Sequence, residues 1–347
     1  MRCLGCLTSS RDSYCKRCKR DLFDNQKISY ILDFDKKEFL SKSLELSPRM
    51  SISGVQDKIS LKIEGGKLTP TTKDGTYLLK PVPLMEYGEL IEDVAKNEHF
   101  TMQLARQVFR LDTAVNGLIA FSDGELAYIT KRFDRVSILE SEALAPNKAR
   151  LKPSFPSKKI RQEDFASLAQ RSEQSHGKNY KYDYSYEQIG GLIRRYLPAY
   201  RVEMVSYFRL VLFNYLIGNG DAHLKNFSVY QRVTGDYGLT PAYDLLSSSI
   251  HLPDESRTAL ELFEEYETKS FEANGFYAYD DFIVFGERLG LSSKLIEKIL
   301  IEYISSKEKI ITLLQGSLMS LEAKERYEAL LRDRIKAIKY RFNTSIH

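Results

Sequence analysis

A short polar turn in the middle of the chain carries the side chains best suited to chemistry. The segment LIGNGDAHLKNFSVY presents Asp221, His223, Lys225 and Asn226, and Asp244 follows in PAYDLLSSS. Phosphoryl transfer requires a carboxylate that orients and deprotonates the attacking hydroxyl, together with oxygen ligands for Mg²⁺. The turn therefore suggests a phosphoryl-transfer site, although aspartate and asparagine are also common in ordinary turns.

The elements around this turn are predicted from the apolar pattern. RVEMVSYFRLVLFNYLIG is apolar on most faces and predicts a buried central helix, with Gly218 or Gly220 available for a left-handed cap. FSVYQ and YGLTPAYD, separated by VTGD, predict a small hairpin that leads to Asp244. Residues 256–347 are predicted to be helical. The polar turn is thus expected to follow a buried helix directly.

The first part of the chain predicts an antiparallel sheet with one helix over residues 50–135. KISLKIEGGKL, in which apolar and polar residues alternate, and TYLLKPVP each predict a strand, and Gly65-Gly66 predicts a tight hairpin. NEHFTMQLARQ has helical spacing, and VNGLIAFSDGELAYITKRFD predicts strands on both sides of a turn. Residues 19–45 are predicted to be a linker with a short helix, and residues 136–160 a mobile loop.

Lys80, at the end of the predicted strand TYLLK, is the candidate contact for the phosphates of a nucleotide. Asp221 and Asn226 have the offset of the base and the metal-binding residue in the H-R-D-x-x-x-x-N loop of protein kinases, which also use a strand lysine paired with a helix glutamate. Glu98 is the candidate partner of Lys80. The alternatives are a surface lysine and a helix-start glutamate favoured by the helix dipole.

All four cysteines lie near the start of the chain with the spacing C-x2-C-x8-C-x2-C: Cys3, Cys6, Cys15 and Cys18. Paired CxxC elements in a chain of an intracellular type favour a tetrahedral thiolate site over disulfides. The sequence therefore predicts a structural Zn²⁺ site, because four protein ligands leave no position for a substrate. The alternative is four reduced surface thiols.

Composition limits the other classes of function. The chain has 347 residues, 43% apolar and 28% charged, with a formal net charge of +4, so it is expected to be globular and shows no strong signal for nucleic-acid or membrane binding. Its apolar runs are shorter than a membrane span requires, and MRCLGCLTSS lacks the apolar core of a signal peptide. A cytoplasmic protein is expected.

Six segments in order resemble the HipA family of toxin serine/threonine kinases: SISGVQDK, TYLLKP, NEHFTMQLAR, KRFDR, LIGNGDAHLKNFS and TPAYDLLS. The resemblance covers roughly residues 48–330. It implies an α+β, two-lobed, protein-kinase-like fold, with a β-rich N-lobe at 21–135 and an α-helical C-lobe at 136–347. The cysteine spacing adds a small zinc-binding segment at 1–20. About fifty residues precede SISGVQDK, as in the short HipT form. The CxxC pair departs from both the HipA and the HipT patterns.

The resemblance also implies a role for each motif. Asp221 would be the catalytic base, Asn226 and Asp244 the Mg²⁺ ligands, and Lys80 the ATP-phosphate contact. KRFDR would form the hinge between the lobes, with Lys131 and Phe133 at the adenine and Asp134 near the nucleotide. SISGVQDK would cover the phosphates through Ser51, Ser53, Gly54, Val55 and Gln56, with Lys58 nearby.

Four residues take further roles from the family pattern. Ser51 and Ser53 match autophosphorylated positions, and their phosphates would repel the nucleotide; the alternative is two hydroxyls that cap a turn. His223 would brace the turn or contact Asp244, with simple packing as the favoured alternative. Lys225 would stabilise the transferred phosphoryl group, with a solvated lysine as the alternative.

The resemblance implies a toxin that phosphorylates an aminoacyl-tRNA synthetase at a serine of its ATP-binding loop and so stops translation. HipS-like and HipB-like antitoxin proteins would be its partners, with DNA contacted only through an antitoxin and no membrane involved. Two other interpretations remain open. One is a small-molecule kinase, and the other is a zinc-bearing regulator that binds nucleotide without transferring phosphate.

Overall fold

The structure is a computed structural model that describes residues 1–46, 58–83, 88–137, 157–232 and 234–342. The chain divides into two compact units. The first comprises Met1–Gln103, Ala114–Arg161 and Gly316–Met319, and the second comprises Leu104–Thr113, Gln162–Gln315 and Ser320–His347. No helix in the described ranges is both long enough and apolar enough to cross a membrane.

The first unit is built on a five-stranded antiparallel sheet in the order β2-β1-β3-β5-β4. Its strands are β1 Ile59–Glu64, β2 Lys67–Pro70, β3 Tyr77–Lys80, β4 Asn116–Ala120 and β5 Leu126–Lys131. Helix α1 spans Lys16–Phe23, α2 spans Lys36–Leu46 and α3 spans Val94–Gln107. The predicted antiparallel sheet with one helix over residues 50–135 is confirmed in the described part of that range.

The hairpin between β1 and β2 turns at Gly65 and Gly66, as predicted. Both glycines have left-handed backbone angles, with φ of 56° and 77°, which residues with a Cβ rarely adopt. Glu64 and Lys67 face each other across this turn. The glycine pair therefore sets the register between β1 and β2.

The segment predicted as a linker, residues 19–45, is instead part of the first unit's core. Leu22, Phe23 and Phe39 are almost completely buried in the same apolar cluster as β1 and β3. The main chain at Leu32 donates a hydrogen bond to Ala120 at the end of β4. The predicted short helix is present as α2, but the linker interpretation was wrong because isolated apolar residues among polar ones give no local period, although tertiary contacts bury them.

The described ends of the predicted mobile loop, residues 136–160, are paired strands. β6 spans Arg135–Ser137 and β7 spans Ser157–Lys159, and the two are antiparallel. Prolines and basic residues therefore do not exclude regular structure at the ends of this segment.

The second unit is mainly helical and carries a small sheet. Its strands are β8 Gln162–Asp164, β9 Ser228–Gln231 and β10 Tyr237–Leu239, in the order β10-β9-β8. Its helices are α4 Phe165–Leu168, α5 Glu173–His176, α6 Tyr186–Tyr196, α7 Tyr200–Ile217, α8 Lys269–Asn274, α9 Tyr279–Arg288, α10 Ser293–Ser305, α11 Lys307–Gln315 and α12 Leu321–Lys339. The predicted hairpin is confirmed as β9 and β10, and β8 adds a strand to it.

Helix α7 is the predicted buried central helix. Most of its residues from Val211 to Ile217 are almost inaccessible to solvent, and helices α6 and α12 pack against it. The helix ends at Gly218, whose φ of 63° forms a left-handed cap. The polar turn that follows is therefore anchored on a rigid, buried element.

Candidate active site

The C-terminal end of α7 leaves no room for a side chain at Gly218. A Cβ there would lie 2.8 Å from both Leu330 Cδ2 and Ser249 Oγ, in a backbone conformation that already favours glycine. Asn219 then bridges the helix and the turn. Its amide nitrogen donates to Asn214 Oδ1 at 3.0 Å, and its Oδ1 accepts the backbone N–H of Asp221 at 3.2 Å. Asp221 is thus positioned by a buried side chain.

Asp221 presents a half-exposed carboxylate, 53% accessible, at the tip of this turn. Its Oδ1 accepts the Tyr182 hydroxyl at 2.5 Å and lies 3.9 Å from Lys181 Nζ and 3.6 Å from His223 Nε2. All of these contacts among the described residues involve the same carboxylate oxygen. The arrangement holds the carboxylate in a fixed orientation while solvent still reaches it.

Asn226 ends a 3-10 turn, Leu224–Asn226, and is linked directly to Asp221. Its Nδ2 donates to the main-chain oxygen of Asp221 at 2.9 Å. Because the amide nitrogen is used as a donor, the orientation of Oδ1 is fixed as well, and this neutral oxygen is a suitable ligand for a hard cation. The predicted closeness of Asp221 and Asn226 is therefore observed.

Asp244 follows β10 with a left-handed φ of 54°, an uncommon angle for a residue other than glycine. The preceding Tyr243 ties this segment to the polar turn, since its hydroxyl donates to the main-chain oxygen of Lys225 at 2.8 Å and lies 2.5 Å from Ser228 Oγ. Asp244 is thus held beside the turn by a partly buried tyrosine.

His223 is a buried imidazole close to both carboxylates. Burial is the main cause that lowers its pKa, and Lys181 adds to this effect, although Asp221 and Asp244 act in the opposite direction. Its ring packs edge-on against Tyr182, with centroids 5.2 Å apart, and its buried Nδ1 has no hydrogen-bond partner among the described residues. The ring therefore packs within the turn, and whether it has a bracing role or only fills space stays a prediction.

The sequence pattern missed a tyrosine- and lysine-rich segment that lies against this turn. Tyr182 and Lys181 approach Asp221, Lys225 Nζ is 3.4 Å from the Tyr180 hydroxyl, and the main chain of Leu224 donates to Lys181. The interleaved letters KNYKYDY were the available signal. Tyr180, Tyr182 and Tyr184 alternate with polar residues, a period of two that is typical of a strand, whereas the structure forms turns there.

The sequence pattern also missed a second group of residues that contacts the polar turn. The main chain of Gly220 donates to Ser248 Oγ at 2.8 Å, and Ser248 in turn donates to the carboxylate of Glu255. Burial raises the pKa of Glu255, and the negative charge of Asp221 also raises it. An added Cβ at Gly220 would lie within 2.6 Å of Glu255 atoms, so a side chain there would displace either this carboxylate or the turn.

In the first unit, the predicted pairing of Lys80 with Glu98 is confirmed. Lys80 Nζ at the end of β3 lies 2.7 Å from Glu98 Oε1 on α3, and the two residues are only 7% and 2% exposed. The ammonium also lies 5.6 Å from the centre of the Tyr128 ring. Burying two charges costs several kcal/mol unless they are well paired, so such a pair is expected at a functional position.

The other predicted nucleotide contacts lie partly outside the described residues. Ser51, Ser53, Gly54, Val55 and Gln56 are all outside them. Lys131 pairs with Asp24 at 2.7 Å, so its role at an adenine stays a prediction, as does that of Phe133. Burial raises the pKa of Asp134, but hydrogen bonds from the Arg132 guanidinium outweigh this effect and the pKa is lowered overall.

The four cysteines form a separate cluster in the first unit. The Sγ atoms of Cys3, Cys6, Cys15 and Cys18 all lie within 4.8 Å of one another, and none is in a disulfide. The cluster can hold a tetrahedral metal ion.

Comparisons with known proteins show the family to which the chain is related. The family model described as HipA-like C-terminal domain matches residues 50–310. A Haemophilus influenzae protein named "Putative kinase" is 31% identical over 315 residues, which cover 86% of this chain and 84% of that one. A Shewanella oneidensis protein named "Serine/threonine-protein kinase toxin HipA" is 28% identical over 258 residues, 72% of this chain, and the chain spans only 53% of that toxin's length.

A solved structure shows the same fold at low sequence identity. HipA of Shewanella oneidensis, solved with HipB and its operator DNA, superimposes with a TM-score of 0.59 at 22% identity, covering 84% of this chain and 65% of that chain. The family match spans most of the chain, and the Haemophilus relative matches nearly end to end. This chain therefore belongs to the HipA-like kinase family.

Proposed function

We propose that this protein is an ATP- and Mg²⁺-dependent kinase that phosphorylates a serine or threonine of another protein. One observation supports this most strongly. In the polar turn, the Asn226 side-chain amide donates to the main-chain oxygen of Asp221 at 2.9 Å, and the carboxylate of Asp221 is exposed. An oriented carboxylate beside a fixed amide oxygen is the arrangement of base and metal ligand that phosphoryl transfer uses.

In the proposed reaction, Asp221 accepts the proton of the substrate hydroxyl as the hydroxyl oxygen attacks the γ-phosphorus of ATP. A new oxygen–phosphorus bond forms, the bond from the γ-phosphorus to the β–γ bridging oxygen breaks, and ADP leaves. Tyr182 holds the carboxylate in orientation through its hydrogen bond. The Lys225 ammonium stabilises negative charge on the transferred group, and the neutral His223 fills the space behind Asp221.

Asn226 and Asp244 would hold Mg²⁺ in this proposal. Their amide and carboxylate oxygens are the hard ligands that Mg²⁺ prefers, and the Tyr243 bonds hold the Asp244 segment against the turn. When bound, the ion neutralises the charge of the β- and γ-phosphates. The donor set thus fits the ion.

The nucleotide contacts are proposed from the family pattern together with the buried pair in the first unit. Lys80, oriented by Glu98, would contact the α- and β-phosphates. The remaining proposed contacts are Ser53, Gly54, Val55, Gln56, Lys131, Phe133 and Asp134.

The biological role is proposed from the relatives. The Shewanella relative is named a serine/threonine-protein kinase toxin, and the solved HipA is in a complex with HipB and operator DNA. We extend to this chain a toxin role of the short HipT kind, with HipB-like and HipS-like antitoxin partners and an aminoacyl-tRNA synthetase as substrate. Autophosphorylation of Ser51 and Ser53 would place nearly two negative charges on each and expel the nucleotide.

Incubation of the purified protein with ATP and Mg²⁺, followed by mass spectrometry, tests the activity. Phosphate on Ser51 or Ser53 is expected, and Asp221→Asn should abolish it while leaving the circular dichroism spectrum unchanged. Asp254→Asn, an exposed aspartate of the same unit, serves as the matched control and should retain activity. A fully active Asp221→Asn protein would refute the base assignment, and nucleotide binding without incorporation would favour a regulator.

A small-molecule kinase would give a different pattern. It would phosphorylate a sugar or lipid hydroxyl but neither itself nor a protein in a desalted cell lysate supplied with labelled ATP and Mg²⁺. Toxicity on expression that disappears in Asp221→Asn and on co-expression of an antitoxin would support the toxin role.

A further inference from the structure

The four-cysteine cluster has the spacing of a zinc–thiolate site. Zn–S bonds of about 2.3 Å in a tetrahedron separate the sulfurs by about 3.8 Å. Cys6 Sγ and Cys15 Sγ are 3.8 Å apart, and all four sulfurs lie within 4.8 Å of one another. A disulfide would bring two sulfurs to about 2 Å, so the distances favour four ligands of one ion.

Neighbouring groups in the cluster stabilise thiolate sulfur. Cys3 Sγ accepts the backbone N–H of Gly5 at 3.4 Å and that of Cys15 at 3.2 Å. The guanidinium of Arg17 lies within hydrogen-bond reach of Cys6 and close to Cys18. Donors aimed at sulfur favour the deprotonated form that binds a metal.

Gly5 is the point of closest packing in the cluster. It lies inside the first CxxC element, and a Cβ at this position would be 2.7 Å from Cys18 Cβ and 2.8 Å from Cys18 Sγ. The two CxxC elements can therefore approach each other closely enough to share one ion only because residue 5 has no side chain.

Gly5 also connects the cluster to helix α3. Its carbonyl oxygen lies 3.2 Å from Nε2 of His99, a residue that is only 1% exposed and directly follows Glu98. The adjacent carbonyl of Leu4 accepts the backbone N–H of Leu118 on the edge strand β4 at 2.9 Å. The first CxxC element is thus bonded both to the sheet and to the helix that carries Glu98.

The second CxxC element is connected to strand β3. Helix α1 begins directly after Cys15 and contains Cys18, and the carbonyl of its Leu22 accepts the Tyr77 hydroxyl at 3.0 Å. Tyr77 starts the strand that ends at Lys80. Both members of the Lys80–Glu98 pair are therefore on elements that are tied to the cysteine cluster.

We propose that Cys3, Cys6, Cys15 and Cys18 bind one structural Zn²⁺, and that this ion keeps α3 and β3 in the register that pairs Lys80 with Glu98. Zinc occupancy then sets the affinity for nucleotide. This coupling rests on the proposed function through the role of Lys80 at the ATP phosphates, whereas the zinc site itself does not.

Metal content and nucleotide affinity of the full-length protein test the two parts separately. Elemental mass spectrometry should find about one Zn²⁺ per chain. Removal of the ion with a strong chelator should weaken binding of a fluorescent ATP analogue by about tenfold or more, equivalent to about 1.4 kcal/mol, and added Zn²⁺ should restore it. A metal-free, well-folded protein would overturn the zinc site.

Two variants distinguish coupling from loss of the fold. Cys18→Ser should lose both zinc and nucleotide affinity. His99→Leu leaves the cysteines in place but removes the donor to Gly5, so it should retain zinc and lose nucleotide affinity severalfold. Asp12→Asn changes an exposed residue of the same segment that pairs with Lys19, and it should alter neither property.

The remaining outcomes separate this proposal from the proposed function. Unchanged nucleotide affinity in zinc-free protein, or in His99→Leu, would overturn the coupling and leave the kinase proposal intact. Zinc-loaded wild-type protein that binds no nucleotide would refute the proposed function, and with it the coupling, while the zinc site would stand.

Discussion

Tyr182 donates its hydroxyl to Oδ1 of Asp221, with the two oxygens 2.5 Å apart. Tyr182 lies 39 residues before Asp221, in a segment of turns outside any helix or strand, and it also packs against the ring of His223. The carboxylate is therefore oriented by a residue from outside the polar turn. A base that must meet an incoming hydroxyl benefits from such fixed orientation.

Tyr182→Phe tests this orientation. The variant removes only the hydroxyl. A hydrogen bond to a charged group contributes about 1.5–3 kcal/mol, and the lower value applies here because the pair is partly exposed. We therefore expect kcat to fall by about tenfold. Steady-state phosphorylation kinetics measures kcat, and thermal denaturation measures any accompanying change in stability. Tyr196→Phe, at a tyrosine that is 41% exposed, is the control. An unchanged kcat in Tyr182→Phe would show that this bond does not serve the reaction.

Gly220→Ala should displace the polar turn. The new Cβ would lie 2.3 Å from the carboxyl carbon of Glu255, and a shift of about 1 Å in a catalytic group can cost about a hundredfold in rate. Adding Glu255→Ala to this variant removes the clash and should recover part of the activity. Gly191→Ala, in helix α6 with open space around it, should instead raise stability by about 0.5–1 kcal/mol. Equal activity in the single and the double variant would refute the clash.

Local patterns predicted the elements that carry the candidate site. Alternating apolar residues predicted β1, an apolar surface all around predicted the buried helix α7, and Gly218 predicted its cap. The Lys80–Glu98 pair was predicted because a strand lysine and a helix glutamate in the family order specify one contact. In each of these cases the information lies within about twenty residues or in a known motif.

Contacts between distant segments were not predicted. Nothing in the letters KNYKYDY says that Tyr182 lies beside Asp221, because which loop contacts which turn depends on the packing of whole helices. The position of Glu255 beside Gly220 was not predicted for the same reason. Phe39 and Leu22 were missed for a related reason, since an isolated apolar residue gains its burial from tertiary contacts and leaves no period in the sequence.

The Lys80–Glu98 pair should contribute to stability in a non-additive way. Lys80→Met or Glu98→Leu alone removes one charge of the 2.7 Å pair while the other stays buried, and each should lower the free energy of unfolding by about 3–5 kcal/mol. The double variant should be more stable than either single one, because no buried charge remains. Urea denaturation of the four proteins measures this cycle, and strictly additive losses would contradict it. Nucleotide affinity should be lost in all three variants.

Acid should destabilise the first unit through His99. Burial lowers the pKa of His99 to about 4, and the hydrogen bond to Gly5 offsets only part of this effect. The unfolded chain, with a pKa of about 6.5, binds the proton more readily. The unfolded state therefore holds more protons between these values, and the free energy of unfolding should fall as the pH drops from about 6.5 to about 4, by up to roughly 3 kcal/mol.

His99→Leu isolates this contribution, because leucine cannot titrate. Urea denaturation at several pH values should show a shallower decline in the variant than in the wild type, while release of a metal from the cysteines at acid pH would affect both proteins. The difference between the two curves, not either curve alone, reports the histidine. Parallel curves between pH 6.5 and 4 would mean that His99 is not buried as a neutral ring, and would also remove the contact through which Gly5 is bonded to α3.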